Sequence, residues 1–546
     1  MQYLLPFVLA MLVTMTGLPV LARFANKWLF VDNPGERKVH SSPIPRVGGL
    51  AMACGVFVAA LATIDLHSQD RWFLVGAGVL ILFGALDDRF DLDYRVKLLG
   101  QLLAVGIVII LGDVRISTIT LDDRIALPGW ISVPLTALFL VGVTNAINLA
   151  DGLDGLAGGT TFLCLGAIAL LSITADPRTS TALTLAFAGA VLGFLRFNTY
   201  PASVFMGDAG SQLLGFAIAV LSVRTTQSVG SPVSSALPVL LLALPILDTA
   251  SVMVQRISEG RSPFSADKNH IHHKLLALGL GHHEAVMVIY VIQAALFVAA
   301  YFLRFESDPL ILGVVTAFFI TAITVLQFAA RSGWRLRARP SRARHGHFSR
   351  LIISVCETER LSRISYTAIA LALGTYAALI VADAATVTWD VRLLVLGLLT
   401  TVAVIAGIMR KAPLNTIEKA LLYITATVLV YLDEMVLPSS RLVLVGSWIA
   451  VSIAAVATAI RLRFLSGRGF QLTPLDILVV FMALVVPSLP GTLGLPHGGA
   501  LAIAKIVVVF YAIEMLISRS QDRAMWVRIA AVSVLGCLTI RSFAAV

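Results

Sequence analysis

Charge is scarce in this chain. Of its 546 residues only 13% are Asp, Glu, Lys or Arg, while 58% are hydrophobic and the mean hydropathy is +0.90. A soluble core of this size is excluded, because its surface would demand far more charge. Cysteine is nearly missing as well. Cys54, Cys164, Cys356 and Cys537 are scattered through apolar context without metal-ligand spacing. That excludes a thiolate metal site and leaves them as small buried hydrophobes. The apolar stretch 3–23 lacks a basic start, since its first arginine is Arg23 at the far end. It reads as a retained first transmembrane helix rather than a signal peptide. No internal repeat and no low-complexity tract is visible.

What is present is a succession of apolar runs, each of about 17–25 residues, the length that crosses a bilayer as a helix. Such runs are too long for barrel strands, and without water the backbone must satisfy itself. The expected fold is therefore all-α: a polytopic helical membrane protein of about eighteen transmembrane helices. Eleven are expected near 3–23, 47–65, 72–86, 98–112, 131–149, 157–175, 180–197, 209–224, 235–255, 284–303 and 308–329. A further seven are expected near 364–382, 391–409, 418–437, 443–460, 473–489, 499–518 and 525–540. With the N-terminus outside, the inner segments hold 31 of the 41 Lys and Arg residues, and the reverse orientation inverts that bias. The net charge of +10 is thus read as topology, not as nucleic-acid binding.

The connector 331–363 carries seven arginines and no acid from Arg331 to Arg350. It reads as a basic cytoplasmic anchor at anionic headgroups, with a partner- or substrate-steering patch as the alternative. It separates residues 1–330, with motif-rich inner loops, from residues 364–546, an extension with few polar clusters.

The chemistry is expected in four inner loops. The first holds Asp87, Asp88, Asp91 and Asp93, closed by Lys97. Adjacent carboxylates repel unless a cation or proton lies between them, so the choice is metal or phosphate handling against capping and solvated charge. The second runs from Asn148 through Asp151 and Asp154 to Gly159, and its glycines suggest a turn that lets backbone approach a ligand. A calcium loop fails, because its twelfth position would be Phe162. The third runs from Asn198 past Pro201 to Asp208 and Ser211, placing Asp208 at a helix start. The fourth joins Arg261, Asp267 and Lys268 to His270, His272, His273 and Lys274, a basic setting that favours phosphate over a transition metal. Asp248, near the inner end of its helix, is either functional or a packing hydrogen bond. All four loops fall on one membrane face and could converge on one cleft.

Taken together these motifs resemble the polyprenyl-phosphate N-acetylhexosamine-1-phosphate transferases, which include the WecA-like branch and the MraY translocase. The resemblance covers about residues 1–330 and rests on five stretches in family order. They are Lys38-Val-His40 with Pro45-Arg-Val-Gly48-Gly49, Asp87-Asp88, Asn148 to Gly159, Asn198 to Ser211, and His270-Ile-His272-His273. The isoleucine between His270 and His272 is closer to the WecA-like branch. The resemblance implies transfer of a sugar-1-phosphate, with GlcNAc-1-phosphate favoured, from a UDP-amino sugar to undecaprenyl or decaprenyl phosphate. It also implies Mg²⁺, or Mn²⁺ in its place, at an active site on the cytoplasmic face of the inner membrane. On that reading Asp87 and Asp88 are the catalytic pair and Asp208 a metal ligand. Lys38, His40, Lys97, Asn148, Asp151, Asp154, Asn198, Arg261, His270, His272 and His273 then bind substrate. The partners are the two substrates and membrane lipid, with no nucleic acid and with a homodimer left open.

Two rival functions fit the motifs less well. A transporter or lipid-linked sugar flippase should place polar groups near the midplane, not at helix ends. A CDP-alcohol phosphotransferase needs Asp-Gly followed by Ala-Arg, whereas Asp154-Gly155 continues into Leu-Ala-Gly-Gly. No role for residues 364–546 follows from the resemblance.

Overall fold

A backbone inside a bilayer finds no water, so its N–H and C=O groups must pair within helices. The computed structural model describes residues 3–32, 43–175, 178–262, 269–332, 359–383 and 441–464, with isolated positions at 422–433 and 474–516. The chain divides into two compact units, Met1–Arg339 with Thr473–Leu478, and Pro340–Leu472 with Val479–Val546.

The described helices of the first unit are α1 Leu4–Trp28, α2 Gly48–Thr63, α3 Ser68–Phe90, α4 Tyr94–Ile110, α5 Gly129–Ala150, α6 Leu156–Ala175 and α7 Arg178–Asn198. They continue as α8 Gly207–Gln227, α9 Leu237–Leu241, α10 Ala243–Ser258, α11 Ile271–Ala277, α12 His282–Phe302 and α13 Asp308–Arg331. Seven helices of the described chain are long and apolar enough to cross a membrane by length and composition, six of them here. The protein is a polytopic helical membrane protein. On α13, Leu312, Ile320, Val325 and Phe328 are exposed, an apolar face suited to lipid rather than water.

The centre of this unit is α8, buried along almost its whole length against α2, α3, α5 and α6. Small residues allow the approach. A side chain at Gly49 would collide with Gly210, one at Gly84 with Ala209, and one at Gly215 with Thr144. α3 and α8 are also tied at both ends. At one end Asp88 accepts the first amides of α8. At the other, Arg224 in the last turn of α8 lies 2.7 Å from buried Asp70 in the first turn of α3. Each charge there also suits the helix dipole it meets.

Three expectations need correction. The span at 235–255 is not one helix but breaks at Leu242 between α9 and α10. Pro245 has no N–H for the Leu241 carbonyl four residues back. Buried Gln293 of α12 donates to that carbonyl instead, at 2.9 Å. The fold is also not purely helical. Two short antiparallel ribbons occur, β1 Val31–Asp32 with β2 Ile44–Pro45, and β3 Thr118–Thr120 with β4 Arg124–Ala126. Gln227 and Asp308 accept the Thr118 and Thr120 amides at 2.9 and 2.6 Å, fastening the second ribbon over the end of the bundle that holds Arg224. Lastly, the histidine run forms its own short helix, α11, which periodicity did not predict.

In the second unit the helices Glu359–Asp383 and Arg441–Phe464 pack together, with Ile369, Ala372, Ala454 and Ala457 in a core shared with Ala512 and Leu516. The spans expected near 391–409 and 525–540 lie outside the described residues, and those near 418–437, 473–489 and 499–518 largely so. A buried polar cluster stands here. Lys505 Nζ is 2.5 Å from Asp433 Oδ2, which also accepts from Tyr376 at 3.1 Å, and the ammonium sits 4.3 Å from the centre of the Trp448 ring. Breaking such a pair strands one charge, whereas removing both does not. Lys505→Met should therefore destabilise the unit by about 3–5 kcal/mol, and adding Asp433→Leu should recover most of it. Thermal unfolding in detergent checks this. A double variant no more stable than the single would mean that the charges themselves hold the unit together.

Candidate active site

The acids meet at one end of the first unit. Asp88, in the last turn of α3, points both carboxylate oxygens at the start of α8, accepting from the Asp208 amide at 2.8 Å and the Ala209 amide at 3.0 Å. It caps a helix from which it is 120 residues distant in sequence. Gly207 makes this approach feasible. Its φ is +70°, and a Cβ there would stand 2.5 Å from Asp88 Oδ2.

Asp87 turns elsewhere. One oxygen accepts the Leu92 amide at 2.8 Å and the other lies 2.6 Å from Lys97 Nζ. Lys97, at the start of α4, also reaches to 3.8 Å from Asp208. Asn148, in the last turn of α5, donates to Asp208 Oδ1 at 2.5 Å and to Ser211 Oγ at 2.7 Å. Asp208 is thus held from three helices, yet its side chain remains 31% exposed and open to a ligand.

α5 ends at Ala150, and Asp151 opens the turn expected from the glycines. Burial first, then the charges of Asp208, Asp88 and Asp154, push the Asp151 carboxyl up to about 7, only partly offset by Arg46. The surplus of negative charge is the electrostatic mark of the site. Asp154 accepts the Ala202 amide at 2.9 Å, and its own amide donates to His282 Nε2 at 3.1 Å. Buried Asn198 holds the same turn, accepting from Gly155 N–H at 2.9 Å and donating to the Val204 carbonyl at 3.0 Å.

The histidines adjoin this turn. A side chain at Gly152 would collide with the His272 imidazole. His270 and His272 lie parallel with ring centres 5.7 Å apart, and His273 is 4.2 Å from His272. Asp248 serves them structurally, since it contacts His270 Nδ1 at 3.0 Å and accepts the Ile271 amide at 2.6 Å. Burial, and then the neighbouring His273, pulls the His272 imidazole down to about 4, so it meets a ligand as a neutral ring at pH 7.

Asp87, Asp88, Lys97, Asn148, Asp151, Asp154, Asn198, Asp208, His270, His272 and His273 therefore gather around neighbouring turns. Arg261 stands exposed beyond α10, 3.1 Å from Glu259. Lys38 and His40 lie outside the described residues. Three participants were not singled out from sequence. Arg46, paired with Asp32, lies within electrostatic reach of Asp88, Asp151 and Asp208. Tyr200 stacks on His282 with ring centres 4.5 Å apart. The pair His282-His283 opening α12, with Glu284 behind it, was the available signal for the last two.

Among the described residues no three His, Cys, Asp or Glu side chains form a ready-made metal cage. Asp208, with its partly exposed side chain, and Asp151, surrounded by negative charge, are carboxylates able to hold a cation.

Carboxylates and a lysine fixed at the ends of apolar helices, beside the neutral His272 ring, suit a membrane glycosyl-phosphate transferase, the class that similarity to known proteins supports. The family model described as glycosyl transferase family 4 matches residues 71–226, from α3 to the end of α8. A probable undecaprenyl-phosphate N-acetylglucosaminyl 1-phosphate transferase of Bacillus subtilis (strain 168) is 39% identical over 304 residues, 55% of this chain and 84% of that protein. A decaprenyl-phosphate N-acetylglucosaminephosphotransferase of Mycolicibacterium smegmatis is 32% identical, over 56% of this chain and 87% of its own. The undecaprenyl-phosphate alpha-N-acetylglucosaminyl 1-phosphate transferase of Escherichia coli (strain K12) is 32% identical, over 58% and 87%. The chain belongs to this family of polyprenyl-phosphate N-acetylglucosaminyl-1-phosphate transferases.

Proposed function

We propose that the first unit transfers N-acetylglucosamine-1-phosphate from its UDP-sugar to a polyprenyl phosphate at the cytoplasmic face, with the N-terminus outside. The observation that carries this reading is Asp208, fixed by Lys97 and Asn148 yet open to a ligand. In the reaction an oxygen of the lipid phosphate bonds to the β-phosphorus of the donor. The bond from that phosphorus to the bridging oxygen breaks, and UMP leaves with that oxygen. A phosphate monoester is mostly dianionic at neutral pH, its second pKa being about 6, so positioning and charge neutralisation outweigh proton abstraction.

Mg²⁺ fits the donor set, because it binds through one or two carboxylates plus waters and substrate phosphates. Asp208 would hold it, with Asp151 beside it, and when bound it neutralises phosphate charge. The chain's own residues do the rest. Lys97 neutralises Asp87 and steadies Asp208. Asp88 positions the first turn of α8. Asn148 aims the Asp208 carboxylate, the Asp151–Asp154 turn orients the donor, and His272 offers a hydrogen bond without charge.

The metal-free site should hold a proton. Below about pH 7 the Asp151 carboxyl is protonated, and a cation must displace that proton; above it the anion stands ready. Mg²⁺ binding should accordingly release protons and tighten as pH rises, by about tenfold from pH 6 to pH 8. Calorimetric titration in two buffers of different ionisation enthalpy measures both, and an unchanged pH dependence in Asp151→Asn would remove Asp151 from the metal site. The function itself is tested with the purified chain, Mg²⁺, undecaprenyl phosphate and a panel of UDP-sugars. UMP release is expected with UDP-N-acetylglucosamine, and none with any UDP-sugar would defeat the reading.

A further inference from the structure

One helical turn deeper than Lys97, Asn148 and Asp208 lies a second polar layer. Gln101 follows Lys97 by four residues on α4, Asn145 precedes Asn148 by three on α5, and Gln212 follows Asp208 by four on α8. Three- and four-residue spacings stack side chains on one helix face, so each amide sits beneath one functional residue. The three amides meet. Gln101 Nε2 donates to Asn145 Oδ1 at 3.2 Å and to Gln212 Oε1 at 3.4 Å. Asn145 Nδ2 donates back to Gln101 Oε1 at 2.8 Å and to the Val141 carbonyl at 2.9 Å. Gln101 and Gln212 are 3% and 2% exposed, so a lost partner leaves a buried polar group unpaired.

We propose that Gln101, Asn145 and Gln212 form a register lock that keeps Lys97, Asn148 and Asp208 in line. Each residue of slip moves a helix about 1.5 Å along its axis. An apolar contact tolerates part of that shift, but a paired amide does not, because its donor and acceptor both lose their partners. The three are positioning residues, acting on the reaction only through the layer above. The inference rests on the reading of that upper layer as the reaction site.

Polar glue between helices is the competing role. Glue would lower stability and leave turnover per folded molecule untouched, whereas a register lock must move turnover. The test uses the full chain in nanodiscs, with kcat, KM for UDP-N-acetylglucosamine, the thermal midpoint, and deuterium exchange of the peptide 205–213. Gln101→Leu is expected to lower kcat by about 10–100-fold, as losses of supporting hydrogen bonds do, to change KM by less than about threefold, and to speed exchange at 205–213. Gln212→Met should act alike and serves if Gln101→Leu does not accumulate. The exchange Gln101→Asn with Asn145→Gln moves one methylene across the contact, and should recover much of what either single change loses. A folded Gln101→Leu or Gln212→Met protein with kcat within about twofold of wild type overturns the lock, as does an exchanged pair no better than its singles. Asp208→Asn measured in parallel separates the two claims: full activity there sinks the upper layer, whatever the amides do.

Discussion

Asp208→Asn protein, folded and inserted, is expected to lose about 10³-fold in kcat, or about 4 kcal/mol of transition-state stabilisation. The substitution is nearly isosteric, and the packing of Asn148 and Lys97 around it can persist. What disappears is the charge at the one side chain held from three helices yet open to substrate. The loss should therefore appear in kcat and in the divalent-cation requirement, while the thermal midpoint stays close to wild type. UMP release per folded molecule at saturating donor is the measurement. Wild-type turnover would falsify the assignment of the site.

Asp88→Asn should also cost turnover heavily, about 10²-fold, but with a different signature. In the structure Asp88 already spends both oxygens on the amides of Asp208 and Ala209. An asparagine has one oxygen, so one amide loses its acceptor and the first turn of α8 loosens. The thermal midpoint should fall with kcat, because a lost cap costs about 0.5–2 kcal/mol. The acidic limb of the pH–rate profile should persist but move to lower pH, because Asp88 is one of the charges that hold the Asp151 carboxyl up. A general base in this position behaves otherwise: Asp88→Asn would leave stability intact and abolish the acidic limb of the profile. The comparison decides between cap and base.

Most of this arrangement was legible because bilayers permit few solutions. Apolar runs of spanning length located α1 to α8 to within a few residues, and the inside-positive alternation put the acidic loops on one face. The turn at Asp151 to Gly155 announced itself through glycine, and Asp208 stood at a helix start as expected. What sequence could not supply was the choice of partner. Asp87 and Asp88 are adjacent and look alike, yet one pairs with Lys97 and the other caps α8, because successive residues on a helix face different neighbours. The break at Leu242 hid for a similar reason. Pro245 leaves the Leu241 carbonyl without its helical donor, but Gln293, which takes it up, lies in another helix. Tyr200 and His282 are joined only in space.

The gathering of Asp87, Asp88, Asp151, Asp154 and Asp208 at helix ends and the turns beside them has a kinetic consequence. A nucleotide arrives from a volume, but a prenyl carrier arrives within a leaflet. Its collision rate then follows its mole fraction among lipids, not its bulk molarity. Diluting vesicles into more buffer should leave the lipid-dependent half of the rate law unchanged, whereas adding inert phospholipid to the same vesicles should slow it.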